Sequence, residues 1–321
     1  MKVRGFTGRS DPGRKRHRNE DAFVCEPPLF AVADGMGGAQ AGEVASQLAA
    51  GALREGNGTA GEAGVVSLIQ EANRRVWQRA NEDAAASGMG TTITVAVVEP
   101  DGRVFFGHVG DSRAYMLRGG RLRQLTQDHS RVAELVRRGE LSPEEAETHP
   151  QRSVITRALG TDPDVDVDTF AVDAEDGDVF LLCSDGLSSM VDHSTVEQVL
   201  LRNRADLDAA AQALVAAANR GGGEDNITVI AFVIAADGDE TARLPAASEE
   251  DTLTGVPAPP IDTMVVPPEQ VEDVFVEPGS PEAEALARPQ PISPAARVRL
   301  VLTMLALLGV AAVLLAWGLL R

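Results

Sequence analysis

Cysteine is nearly absent: Cys25 and Cys183 are the only two in 321 residues and sit in unrelated contexts. Neither a disulfide framework nor a cysteine-based zinc site can be assembled from them, and a reducing compartment is the simpler setting. Positive charge is scarce too. Lys and Arg number 29 against 48 Asp and Glu, a net charge of −19, and so acidic a surface repels phosphate backbones and argues against a nucleic-acid binder. The start of the chain is basic but carries no apolar core segment, so no signal peptide is expected. No internal repeat period is visible. What is present is ordinary globular usage, 44% apolar and 24% charged, which excludes a wholly disordered chain and leaves room for one large domain or two ordinary ones.

The charges are unevenly spread, and the unevenness divides the chain into three parts. Asp237 to Ala296 holds 13 acidic residues, 2 basic ones, 11 prolines and one aromatic, Phe275. Such a segment cannot bury enough apolar surface to offset chain ordering and reads as a disordered linker over 237–296. Leu300 to Leu320 follows, 21 residues without a charge, about 30 Å as a helix and therefore one bilayer core. A C-terminal transmembrane helix is expected over 297–321, in preference to a buried core helix. Arg288, Arg297 and Arg299 precede it and only Arg321 follows, so the positive-inside bias puts residues 1–236 in the cytoplasm, at the cell membrane, held by a tail anchor.

The chemistry must then lie in 1–236. PLFAVA, TTITVAVV, RVFFGHV, SRAYML, VFLLCS and NITVIAFVI are short β-rich runs bounded by Gly, Pro, Asp or Asn and read as strands. Helical spacing marks about 42–55, 62–86, 193–202 and 207–219. Helices come in long pairs instead of alternating strictly with strands, which favours an α+β layered sandwich over a doubly wound parallel sheet. The alternation Asp164-Val-Asp166-Val-Asp168-Thr169 reads as a half-exposed strand.

Four acidic positions fall at the ends of apolar strands. Asp34-Gly35 and Asp185-Gly186 each end one abruptly, while Asp225-Asn226 and Asn19-Glu20-Asp21 each precede one. A single Asp-Gly taken alone reads better as a hairpin turn. Four carboxylates at buried strand ends need positive charge beside them, and hard oxygen ligands without paired His or Cys suit magnesium or manganese better than zinc.

Arg16-x-x-Asn19-Glu20-Asp21, Asp34-Gly35-Met36-Gly37-Gly38, Gly90-Thr91-Thr92, Gly110-Asp111-Ser112-Arg113, Ser184-Asp185-Gly186 and Asp225-Asn226 occur in one order across about 1–235. In order and spacing the chain resembles the type 2C metal-dependent Ser/Thr protein phosphatases, with Met36 similar to the bacterial branch. The resemblance implies a four-layer αββα sandwich, a central antiparallel β-sandwich flanked by helix pairs, with a two-metal site for Mn2+ or Mg2+ at one edge. It also implies roles. Asp34 would bridge both ions and the Gly35 carbonyl would complete one. Asp185 and Asp225 would hold the ion shared with Asp34, and Glu20 and Asp21 would act on the other, partly through water. Arg16 would grip the substrate phosphate. The activity implied is hydrolysis of phosphoserine and phosphothreonine on proteins by a metal-activated hydroxide, with no phosphoenzyme.

Some readings stay open at this level. Asp111 either caps a hairpin or joins Asp185 in holding a third, weaker ion. The basic run Arg14 to Arg18 has a bland reading as a targeting or nucleic-acid patch, which its abutment on Asn-Glu-Asp disfavours. Met36 stands where many eukaryotic relatives carry a histidine thought to protonate the leaving group, so no side chain is assigned as general acid. About 128–157 falls where the family carries a mobile flap, a place for specificity to reside. A catalytically silent membrane scaffold and a small-molecule phosphatase on the same fold are the alternatives. The expected partners are phosphorylated proteins, Ser/Thr kinases among them, and the membrane; the catalytic domain is expected to be monomeric. Thr252, Thr254 and Thr263 read first as solvated linker residues and, as the alternative, as marks for a membrane kinase whose products the domain would erase.

Overall fold

The strands expected from the apolar runs all form, and alternation along them sorts their side chains onto two faces. The computed structural model describes residues 1–37, 41–56, 61–83, 86–147 and 149–236. The expected linker over 237–296 and transmembrane helix over 297–321 lie outside the described residues, as do Gly38, Thr252, Thr254, Thr263 and the arginines of the tail. Among the described residues no helix is long and apolar enough to cross a membrane.

Among the described residues eleven strands build two antiparallel sheets. In the first the order is β1 (Lys2–Asp11), β11 (Ile227–Ala235), β10 (Val179–Cys183), β7 (Arg113–Arg118) and β8 (Arg121–Gln124). In the second it is β2 (Asp21–Glu26), β3 (Leu29–Met36), β5 (Ile93–Val98), β6 (Arg103–Val109) and β9 (Asp168–Asp173), with the two-residue β4 (Gly90–Thr91) also paired to β3. Phe30, Val32 and Phe106 of the second sheet interdigitate with Phe180, Leu182, Ile230 and Phe232 of the first. Phe30 stacks on Phe232 with centroids 4.2 Å apart, and Phe180 on Phe232 at 5.1 Å.

The opposite faces are covered by helices. α1 (Ala41–Glu55) presents Ala45, Ala49, Ala52 and Leu53, and α2 (Gly61–Glu82) presents Val65, Leu68, Ile69, Ala72 and Val76, to Ala31, Ala33, Ile93 and Val95 of the second sheet. These are spacings of three and four, one face of a helix. α6 (His193–Arg202) and α7 (Leu207–Gly221) cover Leu181, Val229 and Ala231 of the first sheet. Asp192 and Asp206 start these helices, accepting from Thr195 N at 2.9 Å and Ala209 N at 3.0 Å. The result is the helix–sheet–sheet–helix sandwich that the resemblance implied.

Two boundaries differ from expectation. α2 stops at Glu82, short of Ala86, because successive turns, Ala86 N to Asp83 O and Met89 N to Ala86 O, bring the buried Met89 round to begin β4. The half-exposed strand expected from Asp164 is paired only from Asp168, which opposes His108; Val165 and Val167 already pack against the α2 side of the core.

Candidate metal centre and active site

Antiparallel pairing gathers the acidic strand ends at one edge. Asp21 opens β2 directly opposite Asp34 near the end of β3. On the other sheet Cys183, ending β10, opposes Arg113 of β7 and Val229 of β11. Asp111, Asp185 and Asp225 therefore leave their strands toward the same edge. Asp185 begins the short helix α5 (Asp185–Ser188).

Asp21, Asp34 and Asp225 are each held by nearby partners. Asp21 Oδ2 accepts from the Ser184 hydroxyl at 2.8 Å and the Thr228 hydroxyl at 2.6 Å. Asp34 is fixed through its backbone, its N donating to Thr92 Oγ1 at 3.1 Å and its O accepting from Thr92 N at 2.9 Å and Thr91 Oγ1 at 2.8 Å. The Gly90-Thr91-Thr92 motif thus positions Asp34. Gly35 has no room for a side chain: a Cβ there would lie 2.1 Å from Gly42 O and 2.5 Å from Glu20 O. That approach seats Glu20 beside the start of α1, its Oε2 only 2.5 Å from where a Cβ on Gly42 would be. Asp225 accepts from Arg16 Nη2 at 2.7 Å, and Glu20 N donates to Asn226 Oδ1 at 2.7 Å.

The cluster is short of positive charge. Burial, reinforced by Asp185 and Asp225, pushes Asp21 up to about 7. Burial likewise pushes Asp111 up to about 7, with Asp185 adding to it, and Asp185 up to about 6, with Asp225 adding to it. Asp34 is raised well above the carboxylate range by burial, then by Asp21, Asp185, Asp111 and Asp225. Arg16 and Arg113 are each engaged by one carboxylate, Asp225 and Asp128.

Asp21 Oδ1 and Asp185 Oδ1 are buried without any hydrogen-bond partner. Orphaned acceptors amid mutually repelling carboxylates fit hard divalent cations, which would offset the repulsion and satisfy both oxygens. Among the described residues no three acids already converge on one point as a closed chelate. The donors share a neighbourhood and would have to close around an ion.

Asp111 lies on the turn between β6 and β7 and is only 8% exposed. Sequence reasoning missed what holds that turn. Gly110 N donates to His129 Nδ1 at 3.0 Å, His129 N donates to Gly110 O at 2.7 Å, and Ser112 Oγ meets Thr92 Oγ1 at 2.7 Å. With Nδ1 accepting, His129 carries its proton on Nε2, 3.1 Å from Asp168 Oδ2. No motif flagged His129; the Asp128-His129 pair after a strand was the available signal, since Asp128 takes the Arg113 guanidinium at 2.7 Å. Ser184, which precedes Asp185, and Thr228, three residues after Asp225, likewise carry no role in the motifs.

From Asp111 and Asp185 a cleft of about 900 Å3 runs along α3 (Arg131–Arg137) and α4 (Pro143–Glu147), with Val132, Val136, Met190 and Val191 in its walls. The segment 128–157 expected as a flap borders this cleft and is partly helical. His17 is exposed beside Arg16, and Met36 sits in β3 with no acid–base capacity.

Residues 13–220 match the family model of protein phosphatase 2C. The chain is 43% identical over 235 residues to the serine/threonine phosphatase stp of Listeria monocytogenes, covering 69% of this chain and 92% of that protein. It is 40% identical over 257 residues to the serine/threonine protein phosphatase PstP of Mycobacterium tuberculosis, covering 78% of this chain and 49% of that one. The crystal structure of the M. tuberculosis phosphatase PstP/Ppp superposes with a TM-score of 0.69 at 39% identity, covering 73% of this chain and 100% of that one. A structure of the PstP catalytic domain in complex with two manganese ions gives 0.68 at 37% identity, covering 74% and 100%.

Proposed function

Because the chain belongs to the protein phosphatase 2C family and is a metal-dependent serine/threonine protein phosphatase using Mn2+ or Mg2+, we propose that its strand-end acids are the working site. Asp34, Asp185 and Asp225 would hold one ion, Asp34 with Glu20 and Asp21 would hold or orient the other, and the Gly35 carbonyl would complete one of the two. The observation that carries this reading is the pair of orphaned buried oxygens, Asp21 Oδ1 and Asp185 Oδ1, beside Asp34. Two divalent cations supply a water acidic enough to attack phosphorus near neutral pH and offset the charge of the displacement.

The chain's own residues do the rest. Arg16 offers the phosphoryl group a planar fork, and its pairing with Asp225 aims that fork at the metal side of the site. Ser184 and Thr228 hold Asp21 in one orientation, and Thr91 and Thr92 hold Asp34. Asp111 is proposed as a ligand of a third, weaker ion. The turn it occupies is closed by His129, Thr92 and Ser112 and does not depend on the Asp111 carboxylate as a cap, which favours that reading over the hairpin cap. The side of the cleft formed by 128–157 is where substrate preference is proposed to reside.

The phosphatase is further proposed to act beside a membrane, on phosphorylated proteins that include Ser/Thr kinases. The support is the uncharged run Leu300–Leu320 behind an acidic, proline-rich tether of 60 residues. Treated as a flexible coil, that tether spans roughly 40 to 50 Å, enough to keep the active site at raised concentration near the surface. Protease added outside intact cells should leave residues 1–236 uncut; cleavage there would reverse the proposed cytoplasmic orientation. The site itself is tested by calorimetric titration of manganese into Asp34→Asn and Asp185→Asn, each of which should lose tight binding while remaining folded. Native manganese affinity in both would remove these residues from the site.

A further inference from the structure

Arg14 to Arg18 is the densest positive stretch of the described residues, in a segment 1–236 that carries 24 basic against 35 acidic residues. Arg16 is engaged by Asp225 at 2.7 Å and Arg18 by Glu43 at 3.8 Å. Arg14 and Lys15 are exposed, and their side chains form no ion pair with another described residue.

Their backbone is nonetheless fixed. Arg14 N and Lys15 N both donate to Gly223 O, at 2.8 and 3.1 Å. The Asn226 carboxamide closes the loop from both ends, donating to Pro12 O at 3.0 Å and Arg18 O at 2.8 Å. Gly13, at φ +75°, lies so close to the neighbouring segment that a Cβ would come 2.3 Å from Asp225 O. The loop is therefore strapped to the same segment that carries Asp225, and its free cations stand on the rim of the phosphate site. Side chains presented by a fixed backbone lose less freedom on binding, so even exposed pairs add to affinity there.

We propose that Arg14 and Lys15 form an accessory anion subsite that reads acidic or phosphorylated residues flanking the target phosphoresidue. The substrates favoured are then acidic or multiply phosphorylated polypeptides. The inference rests on Arg16 and Asp225 lining the phosphate site. A phosphopeptide is favoured over a lipid surface because Arg14 and Lys15 adjoin Arg16 and are strapped to the segment that carries Asp225, so the flanks of a bound phosphoresidue are the anions brought beside them.

The test uses the full chain with manganese and three phosphothreonine peptides that differ only in flanks: neutral, two glutamates, or a second phosphothreonine. At low salt kcat/KM should be about 3- to 10-fold higher on the anionic peptides than on the neutral one. R14Q/K15Q should abolish that preference while leaving hydrolysis of the neutral peptide and of p-nitrophenyl phosphate within about twofold of native. A preference confined to the doubly phosphorylated peptide assigns the subsite to phosphate, and one shared by both assigns it to negative charge. Equal rates on all three peptides would overturn the inference. So would an R14Q/K15Q variant that slows every substrate alike, or one that loses only binding to phosphatidylserine vesicles. Failure of the native enzyme on the neutral peptide and p-nitrophenyl phosphate would instead strike at the site reading beneath it.

Discussion

The Arg16 guanidinium donates to the Asp225 carboxylate at 2.7 Å, which makes the residue proposed to hold phosphate and a residue proposed to hold metal one hydrogen-bonded unit. A substrate phosphate must share or displace that bond. Arg16→Ala should therefore raise KM for phosphopeptides, by about tenfold, more than it lowers kcat. Arg16→Lys keeps the charge but not the fork and should recover only part of the loss. Steady-state kinetics on one phosphothreonine peptide measures both; a fall in kcat with KM unchanged would contradict the binding role.

Asp111 and His129 should separate by phenotype. Asp111→Ala should keep two manganese sites and near-native thermal stability while turnover falls, since its turn is closed by other groups. His129→Ala removes the acceptor for Gly110 N and the bond to Asp168, and should cost stability of about 1 to 3 kcal/mol, the range for leaving a buried donor unpaired. Denaturant unfolding together with counting of manganese sites distinguishes them. A folding defect in Asp111→Ala with normal activity in what folds would restore the hairpin cap.

Metal binding should release protons. Asp21 at about 7 and Asp185 at about 6 are still partly protonated near pH 6 in the metal-free protein, and ligands must deprotonate to bind. Manganese affinity should fall as pH drops from about 7 to 5. At pH 6 the binding enthalpy should vary with the ionisation enthalpy of the buffer, and no such variation would mean the acids are already ionised.

His108 makes the opposite kind of pH prediction. It is buried between Thr94 Oγ1 at 2.9 Å and Gln127 O at 3.1 Å, and burial, with His129 adding, pushes it down to about 4 from 6.5. The unfolded chain takes up the proton first as pH falls, so stability is lost from about 6.5 downward until the folded value is reached. The total is at most about 3 kcal/mol. Urea unfolding of the metal-free chain and of His108→Gln, compared at pH 7.5 and 5, isolates this group because the acidic cluster is common to both. Equal pH slopes would contradict it.

The sequence made the framework legible where burial on both faces leaves an unbroken apolar run, as in β3, β5, β10 and β11. The acidic strand ends were legible because Asp-Gly and Asp-Asn interrupt those runs abruptly. β1 was not. Its sequence, KVRGFTGRSD, is polar and glycine-containing, and it becomes a strand through its pairing to β11, a long-range contact that local propensity does not report. The supports of the site were hidden for a related reason. Ser184, just past the end of β10, and Thr228 of β11 lie 163 and 207 residues from the Asp21 they hold, and His129 reaches Gly110 across 19 residues. Hydroxyls and a lone histidine carry no spacing signature; only the sheet pairing brings them together.

The most direct measurement is phosphate release from a phosphothreonine peptide by the full chain, with and without manganese, set beside Asp34→Asn. Manganese-dependent turnover that EDTA abolishes, and that Asp34→Asn lowers by at least about a hundredfold, is the predicted result. Turnover unaffected by chelation, or retained in Asp34→Asn, would contradict a metal centre built on the facing pair Asp21 and Asp34.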